Sequence, residues 1–158
     1  MRITSPAFKP NGPIPMSCTC EGEDLSPPLD FDIDISGVKS LALVVEDPDA
    51  PRARPWVHWV LYNIPPSTTS LPEGAHAASI GARIGTNDWE RTSWGGPCPP
   101  SGEHRYVFTL FALDEVLPDL AQPTKTKLVR AMAEHVLGTA QLVGTYRLMR
   151  PSRGTARI

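Results

Sequence analysis

The stretch Leu41-Ala42-Leu43-Val44-Val45-Glu46-Asp47-Pro48-Asp49-Ala50-Pro51, followed by Trp56-Val57-His58-Trp59-Val60, decides the fold. Leu41 to Val45 is apolar without a break, the pattern of a central strand covered on both faces. Two prolines then bracket the Asp-Pro-Asp-Ala-Pro turn and stop the chain from continuing as strand or helix. Two carboxylates are thereby held on a stiff turn at a strand end. A histidine flanked by aromatic residues returns into the sheet soon after.

Strand patterns spread outward from this pair. Leu29-Asp30-Phe31-Asp32-Ile33-Asp34-Ile35 alternates strictly, the signature of a half-buried strand. Trp56 to Ile64 predicts a strand with Trp56, His58, Val60 and Tyr62 on one face. Val57, Trp59, Leu61 and Asn63 fall on the other. His104 to Leu113 predicts a third strong strand, with His104, Tyr106 and Phe108 sharing a face. Ile14 to Thr19 reads as a short strand and Ala140 to Met149 as a last one. One helix is predicted over residues 124–137, opened by Pro123 and Thr124 and stopped at Gly138. Residues 67–103 lack sustained periodicity, and a stretch of that length inside a domain is usually functional. The tail from Arg150 to Ile158 is basic and reads as frayed. The sum is one mostly β domain over 1–158, with one principal helix and long loops.

Composition bounds the function. The 158 residues suit a single domain with a sizeable core. Charged residues are 20% and the net charge is −2, which gives no general bias toward nucleic acid or anionic membranes. The 18 prolines predict many turns. No segment approaches the length of apolar chain needed to cross a membrane. No signal peptide is visible, so the expectation is cytoplasmic, with no integral membrane association. Three cysteines, an odd count, give no closed disulfide framework and fit a reducing compartment.

The candidate chemistry lies at strand ends. Asp47, Asp49, His58 and His104 sit there, with Trp56 and Tyr106 each two residues from a histidine on the same face. If these faces line one pocket, imidazole N–H groups and the Tyr106 hydroxyl are donors, and a carboxylate holds a ring N–H. The loop Trp94-Gly95-Gly96-Pro97-Cys98-Pro99-Pro100 adds backbone N–H groups at Gly95, Gly96 and Cys98. Such a set suits a small anion, phosphate or carboxylate. Each piece also has a plain reading: a lone strand histidine is often core or surface, and Asp-Pro-Asp is ordinary turn chemistry. His135 reads as structural and His76 as solvated.

Asp47 to Pro51, Trp56-Val57-His58-Trp59, Gly96 to Pro100 and Gly102-Glu103-His104-Arg105-Tyr106-Val107-Phe108 together resemble the phosphatidylethanolamine-binding protein family, and most of all its bacterial and archaeal, Raf-kinase-inhibitor-like branch. The likeness covers about residues 3 to 148 and keeps the motif order. It implies an antiparallel β-sandwich core and a small anion pocket. The family's pocket residues map onto Asp47, Asp49, Trp56, His58, Pro97, Cys98, Pro99, His104 and Tyr106, and Gly96 joins them as a ligand-binding candidate through its backbone N–H. Trp94 stands where this branch often has tyrosine, and the chain stops short of the C-terminal helix of eukaryotic members. The resemblance also implies a homodimer. Cys20 and Cys98 both lie in family motifs. The reading for all three cysteines is buried small hydrophobes, with a redox pair as the alternative.

The function expected is a non-catalytic binding protein for phosphate-like or phospholipid head groups, with no cofactor, that acts on a partner protein. One alternative is a kinase or protease inhibitor working through exposed loops. Another is a metal-dependent enzyme using His58, His104 and Asp47. No Gly-x-Ser-x-Gly element is present to suggest a hydrolase.

Overall fold

In the computed structural model, residues 1–150 are described, and they form two antiparallel sheets and one helix. The small sheet has the order β1 (Arg2–Thr4), β2 (Leu29–Asp32), β5 (Ser70–Leu71). The large sheet has the order β6 (Arg83–Ile84), β4 (Trp56–Ile64), β3 (Ser40–Asp47), β7 (Glu103–Leu113), β8 (Val136–Arg147).

The central position of β3 follows from its composition. Leu41, Leu43 and Val45 pack between the sheets with Leu29, Phe31, Phe108 and Leu110. Ala42 and Val44 face the opposite way, against Leu128 and Met132 of α1 (Lys125–Met132). An all-apolar strand is therefore buried on both faces, as its sequence requires. The alternation is realised in β2 over four residues, with Leu29 and Phe31 buried and Asp30 and Asp32 exposed, but the strand stops there, short of the expected Ile35.

Four further expectations are corrected. Residues Ile14 to Thr19 do not form a strand; Met16–Cys18 is a 3-10 turn. The helix ends at Met132 and not at residue 137, and β8 starts at Val136 and not at Ala140. Helical spacing runs on through His135 and Val136, but His135 is claimed by another element. Its Nδ1 lies 2.8 Å from Asp114 Oδ1 and its Nε2 lies 2.9 Å from Glu115 Oε2. The N-terminus of α1 is as expected, with the Thr124 hydroxyl accepting from the Lys127 N–H.

The third correction concerns β4. Val45 pairs with Trp59 but Glu46 with Val57, so His58 is the extra residue of a bulge. Strict alternation breaks there. Val57 packs with Val60 and Tyr62 on the helix side, while His58 turns its ring to Tyr106. Fourth, Cys20 and Cys98 form a disulfide, with Cα atoms 5.5 Å apart. Cys18 alone is a buried free thiol. The odd count concealed a pair separated by 78 residues, and the cysteine argument for a reducing compartment falls with it. The end of the basic tail, 151–158, lies outside the described residues. Among those residues no helix is long and apolar enough to cross a membrane.

Candidate functional site

The site is built where β3 ends, β4 begins and β7 begins. Asp47, the last residue of β3, is fully buried. One carboxylate oxygen accepts the Asp49 N–H at 2.7 Å, and the other lies 2.6 Å from His104 Nδ1. Burial pushes the Asp47 carboxyl above its ordinary range, against the pull of His104 and the Asp49 N–H. His104 and Tyr106 share the buried face of β7, as the alternation predicts.

Asp49 belongs to a different contact. Its carboxylate accepts from the Arg105 backbone N–H, Nε and Nη2 at 2.8, 2.9 and 2.8 Å. This two-pronged grip on the exposed face holds its carboxyl down at about 2. Asp49 is thereby occupied by Arg105, and its carboxylate is not a free ligand-binding group of the site.

The His58 ring is enclosed. It meets Tyr106 edge-on with centroids 5.2 Å apart, and Trp89 edge-on at 4.8 Å. Trp89 in turn meets Trp56 edge-on at 5.7 Å. The loop before β7 is held along β4 by a reciprocal pair: the Gly95 N–H donates to the His58 carbonyl, and His58 Nδ1 lies 2.6 Å from the Gly95 carbonyl oxygen. Burial drives the His58 imidazole down to about 4, helped by His104 and opposed by the Gly95 contact.

Among the described residues, three buried side-chain polar atoms have no hydrogen-bond partner: Trp56 Nε1, His58 Nε2 and Tyr106 OH. All three belong to the linked run Trp56–Trp89–His58–Tyr106 of edge-to-face rings. Buried polar groups are seldom left unpaired, and a cluster of them marks a place built to receive something polar.

The glycine-proline loop plays another part than the one expected of it. The Gly95 N–H is used by His58, and the Gly96 N–H donates to Asp24 Oδ1 at 2.9 Å. The Pro97 carbonyl accepts from the Cys20 N–H, and Cys98 is tied to Cys20. This loop, Pro99 included, frames the site, and its two glycine N–H groups are committed within the protein. Trp94 is a buried core residue. Its Nε1 donates to the Cys18 carbonyl, and its ring lies against Trp59 and Phe108 in the core. Asp47 and His104 are paired with each other while His58 faces Gly95, and among the described residues no group of three His, Cys, Asp or Glu side chains is placed to hold a metal ion.

Sequence reasoning missed Trp89. It sits on a turn pinned by buried Asn87, whose Oδ1 accepts the Trp89 and Arg91 N–H groups and whose Nδ2 donates to the His58 carbonyl. The one available signal was Asn87-Asp88, turn-forming residues just ahead of an aromatic in an aperiodic loop. Beside Trp56 a groove of about 560 Å³ opens between Arg52, Arg54, Asp88 and Lys125. The Arg52 guanidinium lies over the Trp56 ring, 5.0 Å from its centroid.

Residues 4–147 match the family model described as phosphatidylethanolamine-binding protein. The chain belongs to that family. Its relatives are bacterial and archaeal: a protein named UPF0098 from Chlamydia pneumoniae is 45% identical over 92% of this chain and 98% of its own. Another of that name, from Methanothermobacter thermautotrophicus, is 47% identical over 93% and 99%. Two crystal structures resemble the family fold seen here. One is a phosphatidylethanolamine-binding protein homologue from Chlamydia trachomatis, with a TM-score of 0.88, 42% identity and coverage of 93% and 97%. The other is Escherichia coli YbcL, with a TM-score of 0.85, 31% identity and coverage of 93% and 98%. Family membership supports a binding-protein role.

Proposed function

We propose that the protein binds a small anionic or phosphorylated group in the pocket between β4, β7 and the 85–98 loop, and does so without turning it over. The observation that carries this reading is the cluster of three buried, unpartnered polar atoms on Trp56, His58 and Tyr106. The indole and phenol are hydrogen donors. Burial and the nearby Asp47 and Asp49 charges push the Tyr106 hydroxyl far above its ordinary range, so it stays protonated and donates. Asp47 fixes the orientation of His104. The same chemistry argues against catalysis: the Cys18 thiol is pushed up to about 11 by burial, and the other two cysteines are tied to each other.

The test is an NMR titration with phosphate and then phosphoethanolamine, following the His58 and His104 ring signals. Saturable shifts of both support the reading, and silent rings overturn it.

A second reading, regulation of a protein partner, is favoured by residues 51–55. They are exposed throughout and place Arg52 and Arg54 beside Trp56. A phosphoserine peptide would then bind more tightly than phosphoserine alone, and R52A/R54A would remove the difference. Two further parts of the proposal have their own checks. The homodimer is tested by sedimentation. The cytoplasmic location is tested by trapping thiols in cells, since a Cys20–Cys98 disulfide there overturns it.

A further inference from the structure

His58 is held in one tautomer. A carbonyl oxygen only accepts, so the 2.6 Å contact with Gly95 places a proton on Nδ1. In the neutral ring Nε2 then carries a lone pair, and this atom is buried and unpartnered. The groups around the ring do not favour a second proton. Trp89 and the Gly95 backbone come from the loop, Tyr106 and His104 from β7, and the Asp47 carboxylate from β3 is taken by His104. Full burial opposes a charge on His58, and the neighbouring His104 adds to that opposition.

The linked ring cluster therefore holds two unpaired donors, the Trp56 N–H and the Tyr106 O–H, and one unpaired acceptor, His58 Nε2. We propose that it selects an oxyanion that carries its own proton, namely phosphate or a phosphomonoester, whose P–O–H donates to His58 Nε2. This rests on the anion-pocket reading and narrows it. Sulfate and phosphodiesters present only lone pairs. Either one meets the Nε2 lone pair with an oxygen lone pair, leaving a buried acceptor unpaired. An ester of phosphate keeps its acidic proton up to a second pKa of about 6, so near that pH the required species is abundant. The consequence for lipid is specific: the head group of an intact diacyl phospholipid is a phosphodiester, and it lacks the proton.

The test is calorimetric titration of the whole protein at pH 6 with methyl phosphate, dimethyl phosphate and sulfate, none of which carries an ammonium. Methyl phosphate is expected to bind about tenfold or more tightly than the other two. At pH 8 its binding is expected to take up a proton, read from the dependence of heat on buffer. Equal affinities for the three overturn the proposal and leave the anion pocket standing. Failure of every anion to bind overturns both. Glycerophosphoethanolamine, the lipid head group without its chains, is expected to bind like dimethyl phosphate, and affinity equal to that of methyl phosphate overturns the need for a P–O–H. Two variants separate the roles. His58→Gln presents an amide that can donate as well as accept, and should bring the phosphate and sulfate affinities together. Tyr106→Phe should weaken both alike and preserve their ratio.

Discussion

Asp47 Oδ2 and His104 Nδ1 lie 2.6 Å apart, with the carboxylate fully buried and the imidazole nearly so. The contact bridges the end of β3 and the start of β7, so it fastens the central strand to its neighbour at the mouth of the site. A buried pair of this kind is worth most when its loss leaves one partner stranded. Asp47→Ala leaves His104 without an acceptor and the Asp49 N–H without its cap. The expected loss is about 3–5 kcal/mol of folding stability, measured by urea unfolding. A loss within experimental error would show that the pair is not coupled to the fold.

Tyr106→Phe should behave in the opposite way toward stability. The hydroxyl is buried and has no partner in the protein, so removing it costs no internal hydrogen bond and relieves an unsatisfied group. Thermal stability is expected to hold or rise. Phosphate affinity should fall by about 1.5–3 kcal/mol, the range for a hydrogen bond to a charged group. Parallel losses of stability and affinity would argue that the hydroxyl has a structural role.

The Asp49–Arg105 grip predicts a pH signature. The Asp49 carboxyl is held at about 2 in the folded state, below its ordinary 3.8. A depressed folded value means the unfolded chain binds its proton first. The contribution is therefore present above about pH 4 and fades as pH falls toward 2. Thermal melts of the wild type and Arg105→Ala should differ near neutral pH and converge at the acid end. A difference that is constant down to pH 2 contradicts the ionic origin.

Gly95 has no room for a side chain. A Cβ there would lie 2.4 Å from Cζ3 of the Trp89 ring. Gly95→Ala must therefore displace Trp89, or pull the Gly95 carbonyl away from His58. Overpacking of this kind costs about 1–3 kcal/mol. The displacement should appear as shifted His58 ring signals in NMR. An unchanged His58 spectrum would mean that the loop yields elsewhere.

Much of this architecture was legible because strand periodicity is local. The apolar run of β3, the alternation of β2 and the shared face of His104 and Tyr106 need only neighbouring residues to be read. What escaped depends on distant partners. The bulge at His58 arises from the β3 register, and no strand contains that information alone. Helical spacing by itself runs on through His135, while Asp114 and Glu115 hold that ring elsewhere. Asp49 looked like a pocket carboxylate until Arg105 claimed it. Trp89 lies in a loop with no period to betray its direction, and the Cys20–Cys98 pair joins residues 78 apart in the chain.

That disulfide makes a covalent ring of the segment from Cys20 to Cys98, and β1, β7, β8 and α1 lie outside it. The ring carries Asp47, Trp56, His58 and Trp89, while His104 and Tyr106 hang from the strand that follows. A tensile load applied through the two chain ends bypasses the ring and falls first on the terminal strands, on β1 against β2 and on β8 against β7. With 78 residues of separation shielded, the fully stretched oxidised chain falls short of the reduced one by about 260 Å, at roughly 3.4 Å per residue. β7, with His104 and Tyr106, can be drawn from β3 only after β8 has left it, and the sulfur bridge is still closed when that happens.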